Sequence, residues 1–332
     1  MTSLIFQMCT KDHGGLFMNK DYSFFVGDVA LDEYYRAPYW PNIREKVLVE
    51  ALPPQMGGSI ANAACVYTAY NESVYFLSLL NSGNISQILC EDLRKQGIDT
   101  SYVLYDDTLP DAKNIIILAE DDHTLFIPTL GIQQIEITQE ILNAMCRAKY
   151  VYTTIVEIRP LRCGKMNAIE IIKKIRESGT KIVCDLDVVN IEKGDEIFFE
   201  EIDIAFFNKV GFDVYRNGAT YEQAVSRLLG YGTEIVVVTL AEEGCLVYTK
   251  DQNIQVQGIS VDVVDVTGAG DTFCSSFMYA MNKCDDLRMV GNFANAAAAR
   301  AVTIMGARGG VASSQTILEF MKEKGIETGT EI

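Results

Sequence analysis

The feature that most limits the fold is an alternation of short, nearly continuous apolar runs with stretches of helical period. Strand candidates lie at residues 22–26, 74–77, 150–155, 181–185, 204–207 and 235–239. A run that is apolar at successive positions suits a strand buried on both faces of a parallel sheet. Helix candidates at 60–70, 85–96, 164–178, 221–229 and 269–282 are interleaved with them. Parallel neighbours need crossover connections, so the pattern predicts βαβ units and the α/β class. The expected architecture is doubly wound, with a mostly parallel central sheet flanked by helices.

Two stretches break the rhythm. Residues 34–54 hold four of the seven prolines and show little helical period. Residues 111–128 read as two strands, 114–119 and 124–127, joined by Glu120-Asp121-Asp122-His123. Together they predict a small β lid over the main sheet, a device that keeps water from a reactive group. Residues 1–20 read as a loose extension outside the core, with Met18 as a natural start, and 21–330 as one domain carrying the lid.

Composition narrows the partners. With 48% hydrophobic and 22% charged residues the chain can build a packed core. A formal charge of −17 with no long Lys or Arg run repels a polyanion, so no nucleic acid is expected. Nine scattered cysteines with no CxxC pair, and only two histidines, argue for buried thiols in a reducing cytoplasm over a zinc site. No apolar run approaches the ~18 residues that would span a membrane, so no membrane association is expected.

Two glycine-rich segments carry the chemistry. The first is Asp265-Val266-Thr267-Gly268-Ala269-Gly270-Asp271-Thr272-Phe273, which follows a strand-like run at 261–264 and opens a helical pattern. Glycines at such a turn let the backbone approach a ligand, and the first amides of the helix form an anion hole suited to a phosphoryl group. Asp271 in the first helical turn has two readings, a base for an attacking hydroxyl or a helix cap. The second segment is Gly57-Gly58-Ser59-Ile60-Ala61-Asn62, again at a helix start, where Asn62 offers a donor and an acceptor to a polyol. Two such starts would face the two ends of a phosphoryl transfer. Neither segment is a Walker loop, and the first strand runs into Gly27-Asp28-Val29-Ala30 without a dinucleotide fingerprint.

Taken together, these segments resemble the ribokinase-like, or PfkB-type, carbohydrate kinases, over about residues 22–314. The resemblance implies an ATP- and magnesium-dependent enzyme that phosphorylates a hydroxyl of a sugar or sugar-like molecule. It makes Asp271 the catalytic base and Gly268, Ala269 and Gly270 the anion hole. Asp32, Gly58, Asn62 and Glu157 would bind substrate, while Asn208, Thr239, Gly244 and Asn295 would line the nucleotide site. Asp265 would be the side-chain ligand of a monovalent cation site, with carbonyls near Thr267 and Gly306, which adds potassium as a second ion. Pairing of lids would give a homodimer.

Some positions depart from the family pattern. Where relatives carry Asn-x-x-Glu this chain has Asn208-Lys209-Val210-Gly211, so the acid that organises magnesium is missing. Thr-Leu-Gly becomes Thr239-Leu240-Ala241, and the Gly-x-Asp expected after the second strand becomes Leu80-Asn81-Ser82-Gly83-Asn84. A nucleoside kinase, with Tyr34, Tyr35, Tyr39 and Trp40 stacking on a base, and a weakly active ligand-binding sensor are the alternatives. Arg36, Lys113 and Arg162 are the basic residues considered for an anionic sugar.

Overall fold

A computed structural model describes residues 20–120, 122–186, 192 and 194–327. The extension expected at 1–20 therefore lies, up to residue 19, outside the described residues. The main sheet has eight strands. In spatial order they are β17 (Asn253–Gln257), β16 (Gly244–Tyr248), β15 (Ile235–Thr239), β14 (Ile204–Asn208), β13 (Lys181–Asp185), β11 (Tyr150–Thr153), β1 (Tyr22–Val26) and β5 (Ser73–Leu77). From β15 to β5 every pairing is parallel, as the apolar runs predict, and β16 and β17 extend the edge as antiparallel strands. The sequence reading did not include those two. β17, at the edge, alternates between buried and exposed residues and so carries less apolar signal, whereas β16 is an apolar run that the reading passed over.

Successive side chains of a strand serve opposite faces. Phe25 packs in the core layer that holds α1 (Ser59–Ala69), α2 (Asn84–Lys95), α9 (Ala269–Met281), α10 (Leu287–Ala301) and α11 (Ser314–Glu323). Phe24 and Val26 point to the other layer, with α3 (Gln139–Met145), α5 (Ala168–Glu177), α7 (Lys209–Arg216) and α8 (Tyr221–Tyr231). Val183 and Val237 repeat the first assignment, and Ile182, Cys184, Val236 and Val238 the second. Each fully buried side chain of this size stabilises the fold by about 2 kcal/mol. Two short helices, α4 (Ile155–Ile158) and α6 (Glu196–Phe199), follow β11 and precede β14. Two further parallel pairs are minor: β6 (Leu79–Leu80) with β7 (Leu104–Tyr105), and β10 (Ile135–Glu136) with β12 (Leu161–Arg162).

The lid is a separate five-stranded sheet. Its central pair is β2 (Ala30–Ala37) and β8 (Lys113–Ala119), parallel over seven residue pairs. β9 (Asp122–Phe126) pairs with β8, while β3 (Glu50–Ala51) and β4 (Gln55–Gly57) pair with β2. Both strands expected in 111–128 are found within two residues, but the first lid segment is wider than 34–54, running from Ala30 to Gly57. Asp32 therefore stands on a lid strand instead of in a loop after β1.

Three other boundaries move for local reasons. The strand expected at 150–155 stops at Thr153, because the Thr154 hydroxyl caps α4 by accepting from the Glu157 amide at 3.3 Å. The helix expected from 164 starts at Ala168, where Asn167 and Glu170 form a capping box. The run 261–264 is no strand. Its Val263 and Val264 are 61% and 55% exposed, and the Val264 and Asp265 amides both donate to the Val302 carbonyl.

Candidate active site

The chain adds strands on one side of β1 and then, from β11 onward, on the other, so β1 and β11 flank the point where the order reverses. Ligands of doubly wound sheets bind at the carboxyl ends of the strands near such a point. Polar residues collect there. Asp28 follows β1, Glu157 lies in α4 after β11, and Asp185, Asn208 and Thr239 are the last residues of β13, β14 and β15.

Helix α9 begins above these ends. Gly268 is left-handed at φ 76°, and a Cβ there would lie 2.4 Å from the Ala307 carbonyl oxygen, so only glycine fits. The Ala269 amide donates to the Val266 carbonyl at 3.2 Å, which occupies one of the three expected anion-hole donors. The amides of Gly270 and Asp271 donate to no carbonyl or side chain among the described residues. Gly270 is exposed, and a Cβ built on it meets nothing within 4 Å.

Asp271 lies in the first turn of α9 and accepts from the Asn62 Nδ2 at 3.0 Å. Asn62 is 5% exposed on α1, which packs on α9 through small residues; there the Ser275 hydroxyl donates to the Ala63 carbonyl at 2.7 Å. The two glycine-started helices therefore lie side by side, as two starts serving one reaction require. Burial pushes Asp271 up to about 8, with Asp185 and Asp28 adding repulsion against the opposing effects of Asn62 and Arg308. A carboxyl poised near neutrality is what general-base work needs. Glu157 is likewise pushed up to about 8, by burial and then by Asp28. Asp32 is 6% exposed and raised by burial, with Asn114 of β8 donating to it at 2.8 Å.

The remaining sequence candidates separate into site and scaffold. Gly58 has φ 94°, and a Cβ on it would lie 2.6 Å from the Val29 Cα, so it holds the α1 turn tightly against the chain after β1. Asp265 bridges two loops, accepting from the Thr267 amide at 2.9 Å and the Gly306 amide at 2.8 Å. Burial opposes its ionisation, but those hydrogen bonds prevail and hold it below the usual carboxylate range. Asn208 caps α7 by accepting from the Gly211 amide at 2.6 Å, and Gly211 is buried inside that helix. Thr239 ends β15 with its hydroxyl on the Phe207 carbonyl at 3.4 Å. Gly244, at φ 99°, allows β16 to approach β17, since a Cβ would lie 2.1 Å from the Val256 carbonyl oxygen. Asn295 is buried on α10 and donates to the Gln257 carbonyl at 3.0 Å. In this state Gly244 and Asn295 serve the β17 edge of the sheet.

Three residues at the site were not singled out from sequence: Asp28, Asp185 and Arg308. Asp28 carried a signal, an acid directly after the Gly that ends the first strand. Asp185 ends an apolar run in the same way. Arg308 sits in Gly306-Ala307-Arg308-Gly309-Gly310 and gave none. The lid reaches this region too. Burial, then Asp32 and Asp265, push the Tyr34 phenol up to about 12, and a Cβ on Gly306 would lie 2.6 Å from the lid residue Gln55.

A family model described as pfkB family carbohydrate kinase matches residues 22–313. The chain belongs to the pfkB family of carbohydrate kinases. Among curated relatives of this pfkB kinase, a 5-dehydro-2-deoxygluconokinase from Clostridium botulinum is 25% identical over 83% of this chain and 87% of its own length. A ribokinase from Haemophilus influenzae is 25% identical over 90% of this chain and 97% of its own. Among solved structures, Arabidopsis thaliana ribokinase complexed with ribose and ATP has a TM-score of 0.78. It is 23% identical, covering 91% of this chain and 99% of that one. This pfkB kinase thus has the ribokinase fold that its glycine-rich segments imply. Among the described residues no helix is long and apolar enough to cross a membrane.

Proposed function

We propose that this kinase transfers the γ-phosphoryl group of ATP to a hydroxyl of a neutral sugar or polyol, with Asp271 as general base. The observation that carries the reading is the pairing of Asp271, held by Asn62, with the open amides of Gly270 and Asp271 itself. Asp271 accepts the proton of the attacking hydroxyl, and the amides stabilise charge on the phosphoryl oxygens. Asp32, Asn62 and Glu157 hold the other hydroxyls.

The electrostatics support a neutral substrate. Asp28, Asp185 and Arg308 are felt at Asp271, Asp28 and Arg308 at Asp32, and Asp28 at Glu157, so acids outnumber the one arginine, whose charge is shared with Asp92. The basic residues considered for an anionic sugar are held elsewhere. Arg36 pairs with Glu50 at 3.4 Å and Lys113 with Glu33 at 3.0 Å. Arg162 donates to the carbonyls of Arg159 and Leu161.

Among the described residues no cluster of three His, Cys, Asp or Glu side chains forms a metal cage. That composition fits magnesium, which keeps most of its ligands as water and nucleotide oxygens. We assign to Asp185 the holding of magnesium-bound water, the task for which Gly211 has no side chain. Thr239 and Asn208 lie on the nucleotide side, and the loops joined by Asp265 suit a potassium ion, which adds positive field behind the anion hole. The exposed β9 strand at the lid edge, with Leu125 and Phe126 48% and 53% exposed, supports pairing with a second copy. Sedimentation as a monomer at micromolar concentration would remove that pairing.

The test is coupled ATP consumption with D-ribose, D-fructose, D-gluconate, D-fructose 6-phosphate and adenosine, in potassium and in tetramethylammonium. Turnover of a neutral sugar, faster in potassium, is the expected result. Turnover of only the anionic compounds would overturn the substrate class, and equal rates in both salts would remove the cation.

A further inference from the structure

Arg308 has been counted so far only as a nearby charge, yet its guanidinium is nearly withdrawn from solvent, the side chain being 13% exposed. All three of its nitrogens donate. Nε reaches the Asn62 Oδ1 at 2.8 Å, Nη1 the Asp92 Oδ2 at 2.5 Å, and Nη2 the Gly57 carbonyl at 2.9 Å. These partners belong to α1, α2 and the end of the lid strand β4. Its own loop is fixed as well. A Cβ on Gly309 would lie 2.2 Å from the Met305 carbonyl oxygen and one on Gly310 2.4 Å from the Ala301 Cα, while Arg300 of α10 donates to the Gly310 carbonyl at 3.0 Å.

We propose that Arg308 is a positioning residue for the phosphoryl transfer, acting by fixing which end of the Asn62 amide faces Asp271. The proposal rests on the reading of Asp271 as base. An asparagine amide is nearly the same shape when turned end for end, so sterics alone do not choose its orientation. Arg308 does choose, because a guanidinium only donates and therefore holds the amide oxygen on its own side. The amide NH₂ is left toward Asp271, where it bonds the ionised carboxylate more strongly than the protonated acid and so favours ionisation. In the reversed orientation the amide oxygen would face Asp271 and favour the protonated acid, which cannot take a proton from a hydroxyl. Asp92 completes the chain by anchoring the far side of the fork. A lysine could not replace it, since one ammonium does not present three donors in a fixed plane.

Other groups also act on Asp271. Asp28 after β1 and Asp185 at the end of β13 repel its charge, and its charge in turn opposes ionisation of Tyr152 of β11 and Cys274 of α9. The experiment must therefore separate Arg308 from its neighbours. Carboxyl ¹³C NMR of the full-length protein follows the ionisation midpoint of Asp271, assigned by the signal lost in Asp271→Asn. In Arg308→Met the midpoint is expected to rise by roughly one unit. The turnover rate on the accepted sugar should fall about tenfold near neutral pH and recover as pH is raised, with the KM for ATP unchanged. Arg308→Lys should recover less than half of either effect, and in an Asn62→Ala background Arg308→Met should shift the midpoint less than half as far. An unchanged midpoint in a folded Arg308→Met protein overturns the proposal, as does an equal shift with and without Asn62, which would mean bare charge. Should Arg308→Met not fold, a wild-type midpoint in Arg308→Lys overturns it instead. If no sugar is turned over, the functional reading fails while the midpoint still decides the role of Arg308.

Discussion

The starts of α1 and α9 look alike in sequence, each a pair of glycines opening a helix of small residues, but the protein treats them oppositely. At α1 the exposed amides are filled from within. Asp28 accepts from the amides of Ser59 and Ile60 at 3.0 Å each, and its backbone carbonyl accepts from Ala61. At α9 the amides of Gly270 and Asp271 are left open. The helix dipole favours an anion at each of these two N-termini, so what distinguishes them is whether the chain supplies its own. The site is thus one occupied anion hole beside one open one. The two starts, expected to face the two ends of a phosphoryl transfer, differ in what they offer: α1 presents Asn62 to Asp271, and α9 presents the unfilled amides.

The largest effect that would break this comparison is expected at Asp271. Asp271→Asn keeps the shape and should lower the rate by roughly 10²–10⁴ while ATP still binds. Its stability should move the other way. The folded-state value of about 8 lies above the ordinary 3.8, so the folded protein binds more protons than the unfolded one between those values and loses stability as pH rises through them. The variant escapes that loss, and its melting temperature should exceed the wild type's by a margin that grows from pH 4 to pH 8. Near-normal turnover with no such margin would leave Asp271 only a structural partner of Asn62.

The same Gly→Ala change should next have opposite outcomes at the two starts. Gly270→Ala has room, so it should fold with stability unchanged or raised by ~0.5 kcal/mol, yet crowd the open donors and cost roughly 10² in rate. Gly58→Ala should destabilise the fold, because its φ of 94° and its contact with Val29 exclude a side chain. Similar behaviour of the two in thermal melts and in ATP titration would erase the distinction.

Asp28→Ala sharpens the comparison from the other side. Losing the internal anion should cost about 1–2 kcal/mol in urea unfolding, as lost caps do. With one repelling charge gone, the pH–rate profile should shift to lower pH. Loss of ATP binding at unchanged stability would mean that α1 is the open start after all.

The smallest expected effect concerns Ala241, which stands where relatives have glycine. It holds φ 51°, a left-handed conformation that costs a residue with a side chain ~1 kcal/mol. Ala241→Gly should recover part of that, under ~1 kcal/mol net of the added freedom of the unfolded chain. A loss of stability would show that the Ala241 methyl is needed in its place.

The parallel core was legible because residues such as Phe24, Phe25 and Val26 are buried on alternate faces and so must all be apolar. The α9 start was legible because its conformation demands glycine at Gly268, and sequence records such demands directly. What escaped was pairwise. Nothing in the neighbourhood of Arg308 announces Asn62 or Asp92, which lie about two hundred residues away in the chain, and Asp28 was hidden by the equally good reading of any acid after a strand as a solvated loop residue. The run 261–264 misled for a related reason, since its exposed valines satisfy a strand pattern without a sheet to join.

Asp32 belongs to β2 of the lid sheet, bound there by Asn114 of β8, whereas Asp271 belongs to the helix layer on the main sheet. In the proposed reading a polyol grasped by both would act as a strut between two bodies, and the jaw would close to a gap set by the length of what it holds. Water is too short to serve as that strut. The kinase would then reject its most abundant competing nucleophile by span, and an idle ATP would wait intact until a polyol of the right reach arrived.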